Sequence, residues 1–288
     1  MATDSAIDLI VQAPDIDTPA LKTLARLSGA QSIVALGRAA TQAFRLIGAA
    51  QRTGVAAFCA EAGLDFAFVP GEWQLDRVRL VAFDMDSTLI TIECIDEIAD
   101  MQGIKAEVAE VTARAMRGEI DFRESLRRRV ALLAGFSGEA LERVYAERLQ
   151  ISPGAERMLA GFERVGAQTL LVSGGFTFFT DRLQARLAID HALASSLEIV
   201  GGKLTGRVVG EIIDGAAKAA TFARLREELV GERALSVAIG DGANDLPMLR
   251  LADLSVAYHA KPIVRAETTC AIDHCGLDAV LNLLSGAG

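Results

Sequence analysis

The chain has 288 residues, 51% of them hydrophobic and 5% aromatic, with a net charge of −9. That is enough apolar material for one large domain, or a large and a small one, with a real core. The acidic balance argues against nucleic-acid or anionic-membrane binding, and no apolar run reaches transmembrane length. The first residues, MATDSAIDLI, carry an acid where a signal peptide carries basic groups, so export by that route is not expected. The four cysteines, Cys59, Cys94, Cys270 and Cys275, show no CxxC spacing. Cys270, His274 and Cys275 lie close together, but no second ligand pair completes a zinc site. They read as reduced thiols of a cytoplasmic protein.

Residues 1–78 read as a small α+β module. Strand patterns at Ile7–Val11, Ser32–Leu36, Ala43–Ile47 and Leu64–Val69 alternate with helices at Thr18–Leu27, capped by Asp17 or Thr18, and Gly54–Ala62, ended by Gly63. A β-α-β-β-α-β order closes as a ferredoxin-like sandwich. Catalytic residue types do not cluster here, so a regulatory or structural role is expected. The module resembles a degenerate ACT-type module, a class that binds amino acids. Gly71–Val78 reads as the linker.

An apolar run from Leu80 to Phe83 predicts a strand buried on both faces. It ends in Asp84-Met85-Asp86-Ser87-Thr88. Two carboxylates at the mouth of a buried strand are costly unless compensated. A divalent cation with oxygen ligands would do so, as would a reaction in which one carboxylate attacks while the other moves a proton. A plain Asp/Ser turn satisfies the same residues.

Residues 95–150 are rich in Glu, Arg, Ala and Leu and read as a helical insertion after the first strand of an α/β sheet. In Phe122–Leu133, a period of 3.6 places Phe122, Leu126, Val130 and Leu133 on one stripe. Arg127 and Arg128 flank the stripe and are expected in solvent. Arg129 falls within it, where a guanidinium needs an anion. A substrate carboxylate gripped bidentately and a buried ion pair are the two alternatives.

Strand–helix alternation resumes at Pro153, with a helix at Gly154–Val165, a strand at Gln168–Val172 and a helix at Thr177–Leu187. Ser173-Gly174-Gly175 between strand and helix offers a hydroxyl and free amides, a geometry that holds phosphate and also one that suits a capped turn. Residues 189–213 read as short strands with a turn at Gly201-Gly202. Lys218 stands near the start of a helix at Asp214–Val230, where a cation opposes the macrodipole. A phosphate neighbour or ordinary solvation explains it. The strand Ala234–Ile239 leads into Gly240-Asp241-Gly242-Ala243-Asn244-Asp245. This is no P-loop, lacking GK[ST], and its acids repel phosphate unless a metal intervenes. Parallel strands of an open sheet end on one side, so Asp84, Asp86, Asp241 and Asp245 are expected to converge near Ser173 and Lys218. Leu254–Tyr258, Cys270–Ile272 and a helix at Gly276–Leu284 complete the sheet.

Four signals in order, DxDST, SGG, Lys and GDGxND, resemble the haloacid-dehalogenase superfamily of phosphatases over residues 79–284. DMDSTLI with Glu93, ESLRRRV, SGGF, GDGANDLPM and AKPI are similar to its phosphoserine phosphatases. The resemblance implies a doubly wound, Rossmann-like α/β core (79–94 and 151–288) with an inserted helical cap (95–150). It implies Asp84 as nucleophile and Asp86 as general acid and base. It also implies Mg²⁺ held by Asp84, the Asp86 backbone carbonyl and Asp241. Ser173, Gly174 and Lys218 would bind the phosphoryl group, with Asn244 and Asp245 supporting. Glu93 and Arg129 would grip the amino and carboxylate groups of a small-molecule substrate, O-phosphoserine, under Met116 and Phe122. The implied reaction is hydrolysis of O-phospho-L-serine to L-serine and phosphate, the last step of serine biosynthesis, with a homodimer left open. Met85 stands where many relatives carry Phe.

Three other readings stand beside this one. The same machinery could act on another small phosphate, such as phosphohomoserine or a sugar phosphate, but the opposite signs of Glu93 and Arg129 suit a zwitterion. An amino-acid-binding regulator on an inactive scaffold would not need Asp84, Asp86, Lys218 and Asp241. A Ser/His hydrolase centred on Ser173 is disfavoured, because His191, His259 and His274 have no motif context.

Overall fold

The computed structural model describes residues 6–37, 40–232 and 234–286. The first six elements are β1 (Ile7–Ala13), α1 (Thr18–Ser28), β2 (Ser32–Leu36), β3 (Gln42–Ile47), α2 (Val55–Ala62) and β4 (Asp65–Pro70). Asp17 caps α1, accepting from the Ala20 amide at 2.7 Å. The four strands pair antiparallel in the order β2-β3-β1-β4, which is the ferredoxin-like arrangement read from the sequence. Alternation along the strands separates two faces. Leu9, Val11 and Leu46 pack under α1 and α2 with Leu24 and Val55, while Ile10, Ala67 and Val69 join the core of the rest of the chain. The Asp65 carboxylate accepts from the amides of Asp273, His274 and Cys275, and Asn282 Nδ2 donates to Gln12 Oε1 at 2.9 Å.

The second part begins with β5 (Val78–Phe83), two residues earlier than the apolar run suggested. A register shift between Val78 and Leu80 lets Arg79 turn outward to the Asp76 and Val78 carbonyls. Four helices follow: α3 (Cys94–Met101), α4 (Lys105–Met116), α5 (Phe122–Ala131) and α6 (Glu139–Glu147). Then come α7 (Ala155–Glu163), β6 (Gln168–Phe176), α8 (Thr177–Leu187), β7 (His191–Val200), β8 (Lys203–Val209), α9 (Gly215–Leu229), β9 (Leu235–Gly240), α10 (Leu246–Leu249), β10 (Leu254–Tyr258), α11 (Pro262–Arg265) and β11 (Cys270–Ile272). Seven strands form one sheet in the order β11-β10-β9-β5-β6-β7-β8, all neighbours parallel except β7 and β8.

Central strand β5 is covered on both sides, as its unbroken apolar run requires. Val81 and Phe83 face one cluster with Val237, Ile239 and Phe162. Leu80 and Ala82 face another with Phe222, Leu225 and Met248. The β7–β8 hairpin turns on Gly201 and Gly202, at φ 59° and 75°, the double positive φ of a type I′ turn.

Two segments differ from the sequence reading. Residues 277–283 form a 3₁₀ stretch rather than an α-helix. All seven are buried, and Leu281 lies so close to α7 that a Cβ on Gly161 would stand 2.6 Å from its Cδ1. Packing here overrides local preference. The Ser173-Gly174-Gly175 segment belongs to β6 rather than to a turn. Pairing with β7 jumps from Val172 opposite Leu193 to Phe176 opposite Ser195. The extra residues on β6 form a bulge, and bulges re-aim groups next to sites.

Candidate active site

The site lies where β5, β6 and β9 end. At the tip of β5 the Asp84 amide still donates to the Ile239 carbonyl of β9, but the chain then turns sharply through Ser87, a non-glycine residue at φ 56°. Asp84 Oδ1 accepts from the Met85 amide at 2.7 Å and from Lys218 Nζ at 2.8 Å. Its Oδ2 is left without a hydrogen-bond partner among the described residues. Asp86 Oδ1 accepts from the Cys94 amide at the start of α3, at 3.0 Å. Ser87 Oγ donates to Glu93 Oε1 at 2.8 Å.

Lys218 is fully buried in the first turn of α9, so ordinary solvation does not account for it. Its ammonium bridges Asp84 and Asp245, 2.8 Å from each. Asp245 in turn accepts the amides of Asp241 and Gly242 on Oδ2. The turn after β9 wraps so tightly on this carboxylate that a Cβ on Gly240 would stand 2.6 Å from it. Thr88 Oγ1 donates to Asp241 Oδ1 at 3.3 Å.

The bulge of β6 supplies the third wall. Ser173 is buried, and its Oγ accepts from the Gly175 amide at 2.8 Å. A Cβ on Gly175 would lie 2.8 Å from Asp86 Oδ2 and 3.0 Å from Ser173 Oγ, so only glycine fits between them. A Cβ on Gly174 would stand 2.7 Å from Phe122 Cζ, so the helical insertion comes close to the bulge at this glycine. Between sheet and insertion is a cavity of about 690 Å³. Of the residues singled out from the sequence, Asp84, Asp86, Glu93, Met116, Phe122, Arg129, Gly174, Asp241 and Asn244 line it. Ser173, Lys218 and Asp245 sit behind that lining, buried. Met116 is 71% exposed at the rim.

Arg127 is exposed and Arg128 pairs with Glu124 one turn away, both on the solvent side as their positions on the helix predict. Arg129 is different. Its Nε is buried without a hydrogen-bond partner, and no carboxylate lies within ion-pair distance among the described residues. The buried ion pair is therefore not formed, and the guanidinium faces the cavity unpaired.

Electrostatics follow from burial. Asp86 is pushed up to about 7, by burial first and then by Glu93, against the pull of the Cys94 amide. Asp241 also rises to about 7, from burial, Asp245 and Glu93. Asp84 is raised by burial and Asp245, with Lys218 pulling the other way. Burial opposes charge on Lys218, but Asp245 and Asp84 outweigh it and hold the ammonium above its ordinary value. Burial lowers Arg129, countered in part by Asp96, Glu93 and Asp86.

Carboxylate oxygens of Asp84, Asp241 and Asp245 lie within 4.8 Å of one another. An all-oxygen acidic group with spare lone pairs on Asp84 suits a hard divalent cation. The Asp86 carboxylate is not part of this group. Sequence reasoning passed over Asp96, Ser125 and Lys261, which also line the cavity. Asp96 resembles an ordinary acid in the first turn of a helix. Lys261 sits in a loop whose approach to Asp241, through its amide on the Asp241 carbonyl at 3.1 Å, depends on the fold.

The chain is similar to known proteins in sequence and fold. Residues 81–250 match the family model described as haloacid dehalogenase-like hydrolase, and residues 9–55 match one described as a domain of unknown function. A phosphoserine phosphatase of Polaromonas sp. is 52% identical over 216 residues, 73% of this chain and 92% of its own length. The unliganded structure of a probable phosphoserine phosphatase from Vibrio cholerae superposes with a TM-score of 0.82 at 36% identity, over 96% of this chain and 86% of its own. A substrate-bound phosphoserine phosphatase gives 0.67 at 36% identity, over 72% of this chain and 99% of its own. The chain belongs to the haloacid dehalogenase-like hydrolase family.

Proposed function

We propose that the protein is a Mg²⁺-dependent phosphatase that hydrolyses O-phospho-L-serine to L-serine and phosphate through an aspartyl-phosphate. The observation that carries the reading is the layout of the cavity. One cavity is lined by a lysine-clamped carboxylate with one free oxygen, by further acids and by an unpaired guanidinium. The relatives named above carry the same activity in their names.

The residues divide the work as follows. Lys218 and the Met85 amide fix Asp84 by Oδ1, so Oδ2 is the oxygen that attacks phosphorus while the bond from phosphorus to the serine oxygen breaks. Asp86, raised to about 7, begins protonated and passes its proton to the departing serine oxygen. As a carboxylate it then takes a proton from water. The water oxygen attacks the phosphoryl group, and Asp84 is released. Ser173 accepts the Gly175 amide within the bulge, and the Gly174–Gly175 backbone would face the phosphoryl oxygens. Asp84 and Asp241 would hold Mg²⁺, which when bound neutralises charge on the transferring phosphoryl group. Arg129 takes the substrate carboxylate, and Glu93, oriented by Ser87, takes the ammonium.

A panel of phosphorylated amino acids and sugars, assayed with and without Mg²⁺, tests the reading. Phosphoserine should be the preferred member and lose turnover without the ion. The Asp84→Asn variant should lose several decades of turnover, on the order seen when a covalent nucleophile is removed. Near-normal hydrolysis by that variant would end the mechanism.

A further inference from the structure

We infer that Asp96 is a specificity-determining residue that supplies a second carboxylate to the substrate's ammonium group, an inference that rests on the substrate reading above. Asp96 lies in the first turn of α3 and lines the same cavity as Glu93 and Arg129. Its Oδ1 is buried and accepts no hydrogen bond. A helix-start acid usually closes a capping box by accepting the amide of the capping residue. Here the capping position is Glu93, and Asp96 makes no bond to its amide. The Asp96 amide instead donates to the Glu93 carbonyl at 3.1 Å, so both acids belong to the same turn at the start of α3, and both line the cavity.

Leaving a carboxylate oxygen buried and unpaired costs free energy that some partner must recover. Arg129 does not supply it. Asp96 acts on that guanidinium more strongly than Glu93 or Asp86 does, yet no hydrogen bond or ion pair joins them, and Arg129 Nε is itself orphaned. Two unpaired groups of opposite sign in one cavity are matched by a ligand that carries both signs. A carboxylate satisfies Arg129 and an ammonium satisfies Asp96. Glu93 has already committed Oε1 to Ser87, so three ammonium hydrogens need acceptors beyond that one side chain. Asp96 completes the set. An α-amino acid phosphate fits this cavity, and a hydroxy-acid phosphate of the same length leaves Asp96 unpaired.

The test compares three substrates in wild type, Asp96→Asn and Asp96→Glu. These are phosphoserine, its des-amino analogue phosphorylated 3-hydroxypropionate, and an aryl phosphate. Wild-type preference for phosphoserine over the des-amino analogue is the prior check, and its absence overturns the substrate reading together with this inference. Given that preference, Asp96→Asn should raise KM for phosphoserine so that kcat/KM falls about ten- to hundredfold, as for a lost charge-assisted bond. The des-amino analogue and the aryl phosphate should change little, and Asp96→Glu should recover part of the loss. Equal losses on all three substrates, or on both carboxylate-bearing ones, would make Asp96 a support for the helix or for Arg129 and overturn the assignment. So would an unchanged KM for phosphoserine. Thermal unfolding of each variant separates a folding defect from a binding one, and a selective loss in a folded Asp96→Asn protein supports the inference.

Discussion

Lys218 Nζ stands 2.8 Å from Asp84 Oδ1, and both side chains are almost wholly withdrawn from water. The same ammonium reaches Asp245 at an equal distance. One cation thus neutralises part of an acidic cluster that could not otherwise be buried, and it leaves the second oxygen of Asp84 free. Structure and proposed chemistry share this contact: it makes the buried acids tolerable, and it orients the carboxylate proposed to attack phosphorus.

Replacing Lys218 by Met should therefore cost both. Removing one partner of a buried charge cluster typically costs about 3–5 kcal/mol. Urea unfolding of the metal-free variant should show a loss of that order. The loss should shrink when Mg²⁺ is present, because a cation among Asp84 and Asp241 takes over part of the neutralisation. A variant as stable as wild type in chelator would show that the cluster needs no internal counter-charge.

Divalent metal should stabilise the folded protein measurably. A ligand at a hundred times its dissociation constant contributes about 2.7 kcal/mol, which a Mg²⁺ titration followed by thermal unfolding would read as a rise in Tm. Asp241→Asn removes a carboxylate of the cluster and should blunt the rise. An unchanged response in that variant would place the ion elsewhere.

The metal-free protein should become less stable as pH rises between about 4 and about 7. Asp86 and Asp241 ionise near 3.8 when unfolded and at about 7 when folded. In that window the folded state binds more protons than the unfolded state, so stability falls with increasing pH. Their contribution is full below the unfolded value and gone once the folded value is passed. Asp86→Asn should flatten the profile in chelator. A curve that rises through the same window would contradict the burial that shifts both groups.

Gly174→Ala should disturb the packing of the helical insertion against the bulge more than the fold. The added methyl would meet Phe122 Cζ at 2.7 Å, the far end of a half-buried side chain that can swing. KM should rise while Tm moves little, and adding Phe122→Ala should remove the clash and recover part of the affinity. If the double variant were no better than the single, the strain would lie in the backbone of the bulge.

Much of the architecture was legible along the chain because the signals are local. Apolar runs without alternation marked the buried strands, Asp17 and Gly63 marked helix ends, and the paired glycines 201 and 202 marked the hairpin. Packing changed the detail of two elements. Residues 277–283 form a 3₁₀ stretch pressed against Gly161 of α7, and Ser173–Gly175 stay in the strand as a bulge.

For the site, residue types and their order already implied that acids gather where parallel strands end, beside Ser173 and a lysine. The sequence could not say which of these charges meet. Lys218 admitted either solvation or a phosphate, Arg129 either a ligand or an ion pair, and Asp96 looked like any acid at a helix start. The fold decides which of these groups meet across distant segments. It joins Lys218 to Asp84 and Asp245, leaves Arg129 unpaired, and buries one oxygen of Asp96 without a partner on the wall that Glu93 also lines. The energy of a charge depends on its neighbours and its access to water, and both are properties of three dimensions that no spacing along a chain contains.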